Sequence, residues 1–405
     1  MDQTEALIIE TIDRHREEIL EFARDIYSHA ELGYKEFQTS GKFVKKMEQL
    51  GLRTEKGFAI TGVKAYLNED KKENASLALL GELDALRIPE HAFANPETNA
   101  AHCCGHHAQM AGVFGAALAL TVPEIAEKLD GQVVFFATPA EEYGEIEFKN
   151  QLREQGKIRY GGGKCELLRI GAFDDIDLCL THHIRPGNEI LVGSGTGNGF
   201  VSKVIRVLGK ASHAAGAPEK GVNALSAASL GLQALGLNRE TFRDEDCVRV
   251  HPIITKGGNL VNVIPDEVVV ETLVRGKTIE AFTDAAKKTD RSFKAGALAM
   301  GAKVEISTLP GYLPTLAEEA LPELKHAAEI SASGIPVIEA SGHAGGSTDV
   351  GDVQHLMPVY TFNTGGVKGG LHQIDFEVTD EEEAYIVTAK MFALAAYGLL
   401  KEKAQ

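Results

Sequence analysis

The sequence predicts an α/β fold in which a mixed sheet flanked by helices is interrupted by a smaller, inserted ferredoxin-like α+β domain. Three observations predict it. Short apolar runs typical of buried strands, such as Ser76–Leu80 and Gln132–Ala137, alternate with helical segments. A glycine-rich stretch, Gly193-Ser-Gly-Thr-Gly-Asn-Gly199, marks a change of pattern and has the composition of a hinge. Behind it lies a self-contained β-α-β-β-α-β series, whose ends lie close together as an insertion requires.

Taken in order, Ile12, Ile19, Ala23 and Ile26 recur at helical spacing and predict an amphipathic helix. Val63, Ala65 and Leu67 alternate as in a strand, and Ser76–Leu80 is a buried strand opening into Gly81-Glu82-Leu83-Asp84. Ala108 to Leu120, rich in alanine and leucine, reads as a buried helix. Gln132–Ala137 is a buried strand, Lys164 to Ile170 a helix, and Ile176 to Leu180 a strand. The inserted series runs strand Phe200–Leu208, helix Val222–Leu235, strand Val248–Thr255, turn Gly257-Gly258, strand Val268–Val274, helix Ile279–Met300 and strand Lys303–Thr308. The chain then returns to α/β character with a helix from Leu316 to Ser333, a strand from Met357 to Phe362 and a closing helix from Glu381 to Leu400. The expected domains are therefore 1–192 with 310–405, and an insert of 193–309.

At 405 residues the chain exceeds the size at which one core stops growing, which agrees with two domains. A net charge of -17 argues against nucleic acid and anionic membrane as partners, since both demand basic surface. The N-terminal segment lacks the charged-then-apolar layout of a signal peptide, and the longest apolar run, around Ala111 to Val122, is too short to span a bilayer. Five cysteines without an export signal suggest a reducing compartment, so a cytoplasmic location is expected.

Four stations carry chemistry. The first, Ala101-His-Cys-Cys-Gly-His-His-Ala-Gln109, packs thiols and imidazoles around Gly105. Borderline ligands this dense suit a transition metal, and Gly105 lets Cys104 and His106 face one ion. Cys103 is expected to be a packed neighbour and His107 an outer or exposed group. The second station is Glu141-Glu142 after an apolar strand: one carboxylate could bind an ion while the other takes a proton from the attacking water. An acidic surface turn is the plainer alternative. His182-His183 closes the next strand, and His372 follows Gly369-Gly370-Leu371; either could instead be a solvated loop. Asp84 could orient a ligating histidine or cap the turn that follows it. In the insert, His213, Asn262 and Arg275 could together hold a substrate carboxylate or a developing oxyanion, the alternatives being turn chemistry and a surface ion pair.

These stations, together with Gly161-Gly-Gly-Lys164, Phe173-Asp-Asp-Ile-Asp177, Ser212-His-Ala-Ala215, Asn262-Val-Ile-Pro265 and Ser347-Thr-Asp-Val-Gly351, run in order along nearly the whole chain. They resemble the metallo-aminoacylases and amidohydrolases of the glutamate carboxypeptidase clan, and the Gly-Gly-Gly-Lys and Ser-Thr-Asp-Val-Gly stretches point to the aminobenzoyl-glutamate hydrolase-like branch. The resemblance implies a bridged two-metal site of zinc or manganese, held by Cys104, His106, Glu142, His183 and His372, with Glu141 as catalytic carboxylate. It implies a homodimer or higher homo-oligomer through the insert, with His213 acting in a partner's site. Three positions depart from the family's pattern: His107 where Asp is frequent, Gly81-Glu-Leu-Asp84 for Ala-Asp-Met-Asp, and His182 before the third histidine. The expected activity is hydrolysis of an N-acyl amino acid or aminobenzoyl-glutamate-like amide. Its rivals are a metal-dependent dipeptidase or carboxypeptidase on short peptides, a hydrolase with Cys104 as nucleophile, and a non-catalytic metal-binding protein.

Overall fold

The structure is a computed structural model that describes residues 1–332 and 334–401. The chain divides into two compact units: Met1–Gly195 with Leu316–Gly342 and Asp352–Gln405, and Thr196–Thr315 with His343–Gly351. The expected insert of 193–309 thus differs from the second unit at both ends, and His343–Gly351, expected in the main domain, belongs to the second unit.

The first unit is built on an eight-stranded mixed sheet. Its strands in chain order are β1 (Arg53–Phe58), β2 (Gly62–Leu67), β3 (Ser76–Glu82), β4 (Gln132–Thr138), β5 (Leu178–Ile184) and β6 (Ile190–Val192). After the five strands of the second unit's larger sheet come β12 (Val337–Glu339) and β13 (Val359–Thr364). Their spatial order is β1-β2-β4-β3-β5-β13-β6-β12. Strands β4, β3, β5 and β13 run parallel at the centre. Every residue of β3 and β4 is buried, as in a sheet covered on both faces, and that is why they read as unbroken apolar runs. Edge strand β1 is mostly exposed, so its sequence Arg-Thr-Glu-Lys-Gly-Phe carries no strand signal and sequence reasoning missed it.

The N-terminal helix is two helices, α1 (Gln3–Arg14) and α2 (Arg16–Ser28), broken at His15. Helix α3 spans Phe37–Gln49. Helix α4 (His106–Leu120) is buried at all of its positions and packs against β3, β5, α1 and α2. Helices α5 (Ile146–Glu154) and α6 (Gly163–Arg169) lie between β4 and β5 in the chain. The helical segment expected from Leu316 is α9, Pro322–Ser331, with Pro322 in its first turn; Ser333 lies outside the described residues. The chain's last helical stretch begins with a π-turn, Glu382–Val387, and continues as α10, Thr388–Leu400. At 19 residues Glu382–Leu400 is long and apolar enough to cross a membrane, which corrects the expectation that no run is. It packs on α4 and α9, and 83% of its apolar window is buried, so it is a core helix.

The second unit contains β7 (Gly199–Leu208), α7 (Ala224–Asn238), β8 (Arg249–Val250), β9 (Ile253–Lys256), β10 (Glu267–Gly276), α8 (Ile279–Ala299) and β11 (Lys303–Pro310). The strand expected over Val248–Thr255 is split at His251-Pro252 into β8 and β9, both paired with β10. A proline has no amide to give the ladder, so pairing lapses there. The sheet runs β8-β10-β7-β11 and is antiparallel throughout. Ile205, Val207, Val268, Val270 and Val274 pack with Ala224, Ala228, Ala285 and Phe293 of α7 and α8. The strict in-out alternation along β10 reports one covered face.

Candidate metal centre

Helix α4 starts immediately after a turn that only glycine allows. Gly105 has φ +87, and a Cβ there would lie 2.0 Å from Ile184 Cγ2. The turn separates the two halves of the motif. Cys104 and His106 point one way; Cys103 and His107 are buried on the other side, where His107 packs on the Tyr27 ring at 4.6 Å and the Tyr385 ring at 5.6 Å. His107 is thus a core residue, and burial pushes its imidazole down to about 3.

Strand alternation resolves the histidine pair at the end of β5. His182 turns into the core, bonds Thr364 Oγ1 at 2.8 Å and stacks near Phe362. His183 faces the opposite side, where its Nε2 lies 3.3 Å from Cys104 Sγ and its Nδ1–H donates to the Ile184 carbonyl at 2.8 Å. His106 is fixed in the same manner: its Nδ1–H donates to the Asp84 carbonyl at 2.8 Å, with Asp84 Oδ1 at 3.2 Å, which turns Nε2 toward the cluster. His372, in a left-handed turn at φ +62, donates its backbone N–H to the Cys103 carbonyl. That bond brings His372 Nε2 to 3.3 Å from Cys104 Sγ and 3.1 Å from Glu142 Oε1.

Two donor sets result, Cys104/His106/His183 and Cys104/Glu142/His372, each with its ligand atoms within 4.8 Å of one another. Cys104 belongs to both. His106 Nε2 and Glu142 Oε1 are buried, and their neighbours at 3.1 Å, Glu82 Oε2 and His372 Nε2, give neither of them a well-aligned hydrogen bond. Buried polar atoms left this way cost about 1–3 kcal/mol each, a cost that a cation at the cluster would remove. One thiol, one carboxylate and three imidazoles are also the donor chemistry of a borderline divalent ion. The residues present therefore fit two metal ions. On the protein alone, burial and then Glu142 hold the Cys104 thiol well above its usual range. Binding a cation deprotonates such a thiol outright.

Glu141 stands beside the two sets. Its Oε2 is 3.8 Å from His106 Nε2, and it forms a third group with His106 and Glu82. Glu82 escaped the sequence reading, although an acidic residue closing an otherwise apolar buried strand was the available signal. Its Oε2 lies 3.1 Å from His106 Nε2 and accepts from Gln109 Nε2 at 2.8 Å, while its Oε1 meets Lys164 Nζ at 2.5 Å. Burial drives the Glu82 carboxyl up, but Lys164 and then His106 outweigh it and hold it at about 2.

The Glu141–Glu142 loop is packed from behind by the turn that opens α6. A Cβ on Gly163 would fall 1.6 Å from the Pro139 carbonyl oxygen. Gly163→Ala is therefore expected to displace this loop and reduce turnover by about 10²-fold, the scale for a 1 Å misplacement of reacting groups, while the melting temperature falls by only a few degrees. A variant with normal kcat would show that the loop tolerates the shift.

In the second unit, His213 and Asn262 come together. His213 bridges Val263, and the Ala214 N–H donates to the Asn262 carbonyl at 3.0 Å. His213 Nδ1 accepts from the amides of Ala215 and Gly216, and both His213 and Asn262 are exposed. Arg275 is elsewhere: it lies near the other end of β10, its Nη1 bonded to Ser347 Oγ at 3.0 Å and its guanidinium 5.4 Å from the Phe200 ring centroid. Eight strand rises from Glu267 to Arg275 amount to about 26 Å. One chain thus does not bring Asn262 and Arg275 to the same small carboxylate.

Comparisons with known proteins bear on this geometry. The profile of peptidase family M20/M25/M40 matches residues 78–397. The Xaa-Arg dipeptidase of Mus musculus is 28% identical over 98% of this chain and 85% of its own length. One of the subunits of the p-aminobenzoyl-glutamate hydrolase of Escherichia coli is 26% identical over 73% of this chain and 57% of its own length. A Bacillus subtilis crystal structure, described as a dinuclear metal-binding peptidase of the M20 family, superposes with a TM-score of 0.66, covering 96% of this chain and 99% of that one at 24% identity.

Proposed function

The chain belongs to peptidase family M20/M25/M40 and is a metal-dependent hydrolase of amide or peptide bonds, and we propose that its substrate is an N-acyl amino acid or an aminobenzoyl-glutamate-like amide. The observation that carries this reading is a pair of three-donor sets sharing Cys104, with the Glu141 carboxylate alongside.

In the proposed site Cys104, His106 and His183 hold one divalent cation, and Cys104, Glu142 and His372 hold the other. The thiolate favours zinc, while the carboxylate and imidazoles also admit manganese. The cations supply polarisation of the scissile carbonyl and acidification of a water. Asp84 keeps the His106 ring in the tautomer that leaves Nε2 a lone pair. Glu141 takes the proton of the attacking water and returns it to the departing nitrogen. Arg275 is our candidate for the substrate carboxylate. His213, with Asn262, steadies the oxyanion from a second copy of the chain. The separation of about 26 Å along β10 supports that division of labour. So does the apolar surface beside the His213–Val263 bridge, where Leu260 and Val261 are 65% and 103% exposed. A reducing cytoplasm suits the five cysteines, none of which forms a disulfide among the described residues.

A second reading, cleavage of short peptides, is favoured by the likeness to the mouse dipeptidase. Turnover on aminobenzoyl-glutamate and N-acetyl amino acids, set against dipeptides, separates the two. The first class is expected to win in kcat/KM by about tenfold or more, a difference of about 1.4 kcal/mol in transition-state binding. Faster turnover of dipeptides would sink the choice of substrate. In the same assay a chelator is expected to abolish activity and added zinc or manganese to restore it. Activity that survives metal removal would instead favour Cys104 as a nucleophile.

A further inference from the structure

Glu141 lies between two residues whose backbone polar groups are all engaged. The Ala140 N–H donates to Glu36 Oε1 at 2.8 Å, and the Ala140 carbonyl accepts from the Gly163 N–H at 3.0 Å. The Glu142 N–H donates to Asp84 Oδ2 at 2.9 Å, and the Glu142 carbonyl accepts from Lys149 Nζ at 2.5 Å. Between these anchors Ala140 is held at φ +48. A residue with a Cβ keeps that conformation only where its surroundings over-determine it.

Glu36 is the most unexpected member of this clamp. It comes from the start of α3, is 0% exposed, and bonds Thr61 Oγ1 through its second oxygen at 2.7 Å. Burial, and after it the nearby Asp84 carboxylate, push its carboxyl up to about 7. An apolar side chain would fill the same volume without the desolvation that a buried acid incurs. What an apolar side chain cannot do is accept the Ala140 N–H.

We propose that Glu36 is a positioning residue for catalysis: by accepting the Ala140 N–H it fixes the left-handed turn and so aims the Glu141 carboxylate. The proposal rests on the reading of Glu141 as general base. Glu36 touches neither donor set, so its effect falls on proton transfer, while ion content and substrate affinity are untouched.

Two conservative variants separate reach from charge. Glu36→Gln keeps the reach and an acceptor oxygen but loses the charge; Glu36→Asp keeps the charge but is one methylene too short. With each protein loaded with zinc or manganese, Glu36→Asp is expected to lower kcat by about 10- to 100-fold, the scale of a 1 Å misplacement, with KM and both ions retained. Glu36→Gln is expected to stay within a few-fold of the parent. The proposal is overturned if Gln is impaired as much as Asp, if Asp turns over normally, or if ion content falls in step with kcat. Combining Glu36→Asp with Glu141→Gln is expected to add no further loss, because the group being aimed is gone; multiplicative losses would overturn the proposal while leaving Glu141 as the base. Full turnover in Glu141→Gln alone is the separate signature that the base reading fails, and it takes the role of Glu36 with it.

Discussion

Glu141→Gln is expected to keep two bound ions and lose about 10²- to 10⁴-fold in kcat, the usual contribution of a positioned general acid–base group. Glutamine has the shape of glutamate but cannot take and return a proton. The two donor sets are complete without residue 141, so ion content measured by mass spectrometry is expected to match the parent. The loop also survives the change. Its anchors are the backbone groups of Ala140 and Glu142, held by Glu36, Gly163, Asp84 and Lys149, and none of them involves the Glu141 side chain. A variant that binds both ions and turns over at the parental rate would rule out Glu141 as the base. One that loses ions would make it a ligand, in line with its grouping with Glu82 and His106.

The second large effect concerns the shared sulfur. Cys104→Ala leaves both sets with two donors, whereas His372→Ala shortens only the set containing Glu142. The expected contrast is a loss of both ions in the first variant and of one in the second. Affinity should fall by more than the roughly 10- to 100-fold that loss of an outer-shell partner costs. Because ions that bind only the folded chain stabilise it by mass action, added zinc should raise the melting temperature of the parent strongly, of His372→Ala partly and of Cys104→Ala little. Equal ion content in Cys104→Ala and His372→Ala would contradict a shared ligand.

Much of this was legible in the residues because the relevant signals are local. Strands β3 and β4 are buried on both faces, so their composition alone announces them. The Cys-Gly-His turn announces itself through a glycine that geometry demands at φ +87. Strand β1 gave no signal, since an exposed edge strand imposes no apolar pattern. The helix that begins at Leu316 in the sequence reading starts at Pro322, because Glu318 gives its backbone groups to an antiparallel bridge with Ser194 instead of to a helix. Three members of the candidate site act through tertiary contacts that no spacing reveals. Glu36 lies 104 positions from the amide it holds, and Lys164 lies 82 from Glu82. Lys149 binds a backbone carbonyl. Arg275 and Asn262 have side chains suited to one carboxylate, but the extended strand between them carries them apart.

A single sulfur common to both donor sets has a further consequence. Oxidation of that thiolate to a sulfenic acid would strip a donor from each set in one event, leaving no half-competent species. Inactivation by peroxide would then be all-or-none for each molecule and reversible by thiols at its first stage, so the working life of the catalyst would follow the redox poise of its surroundings.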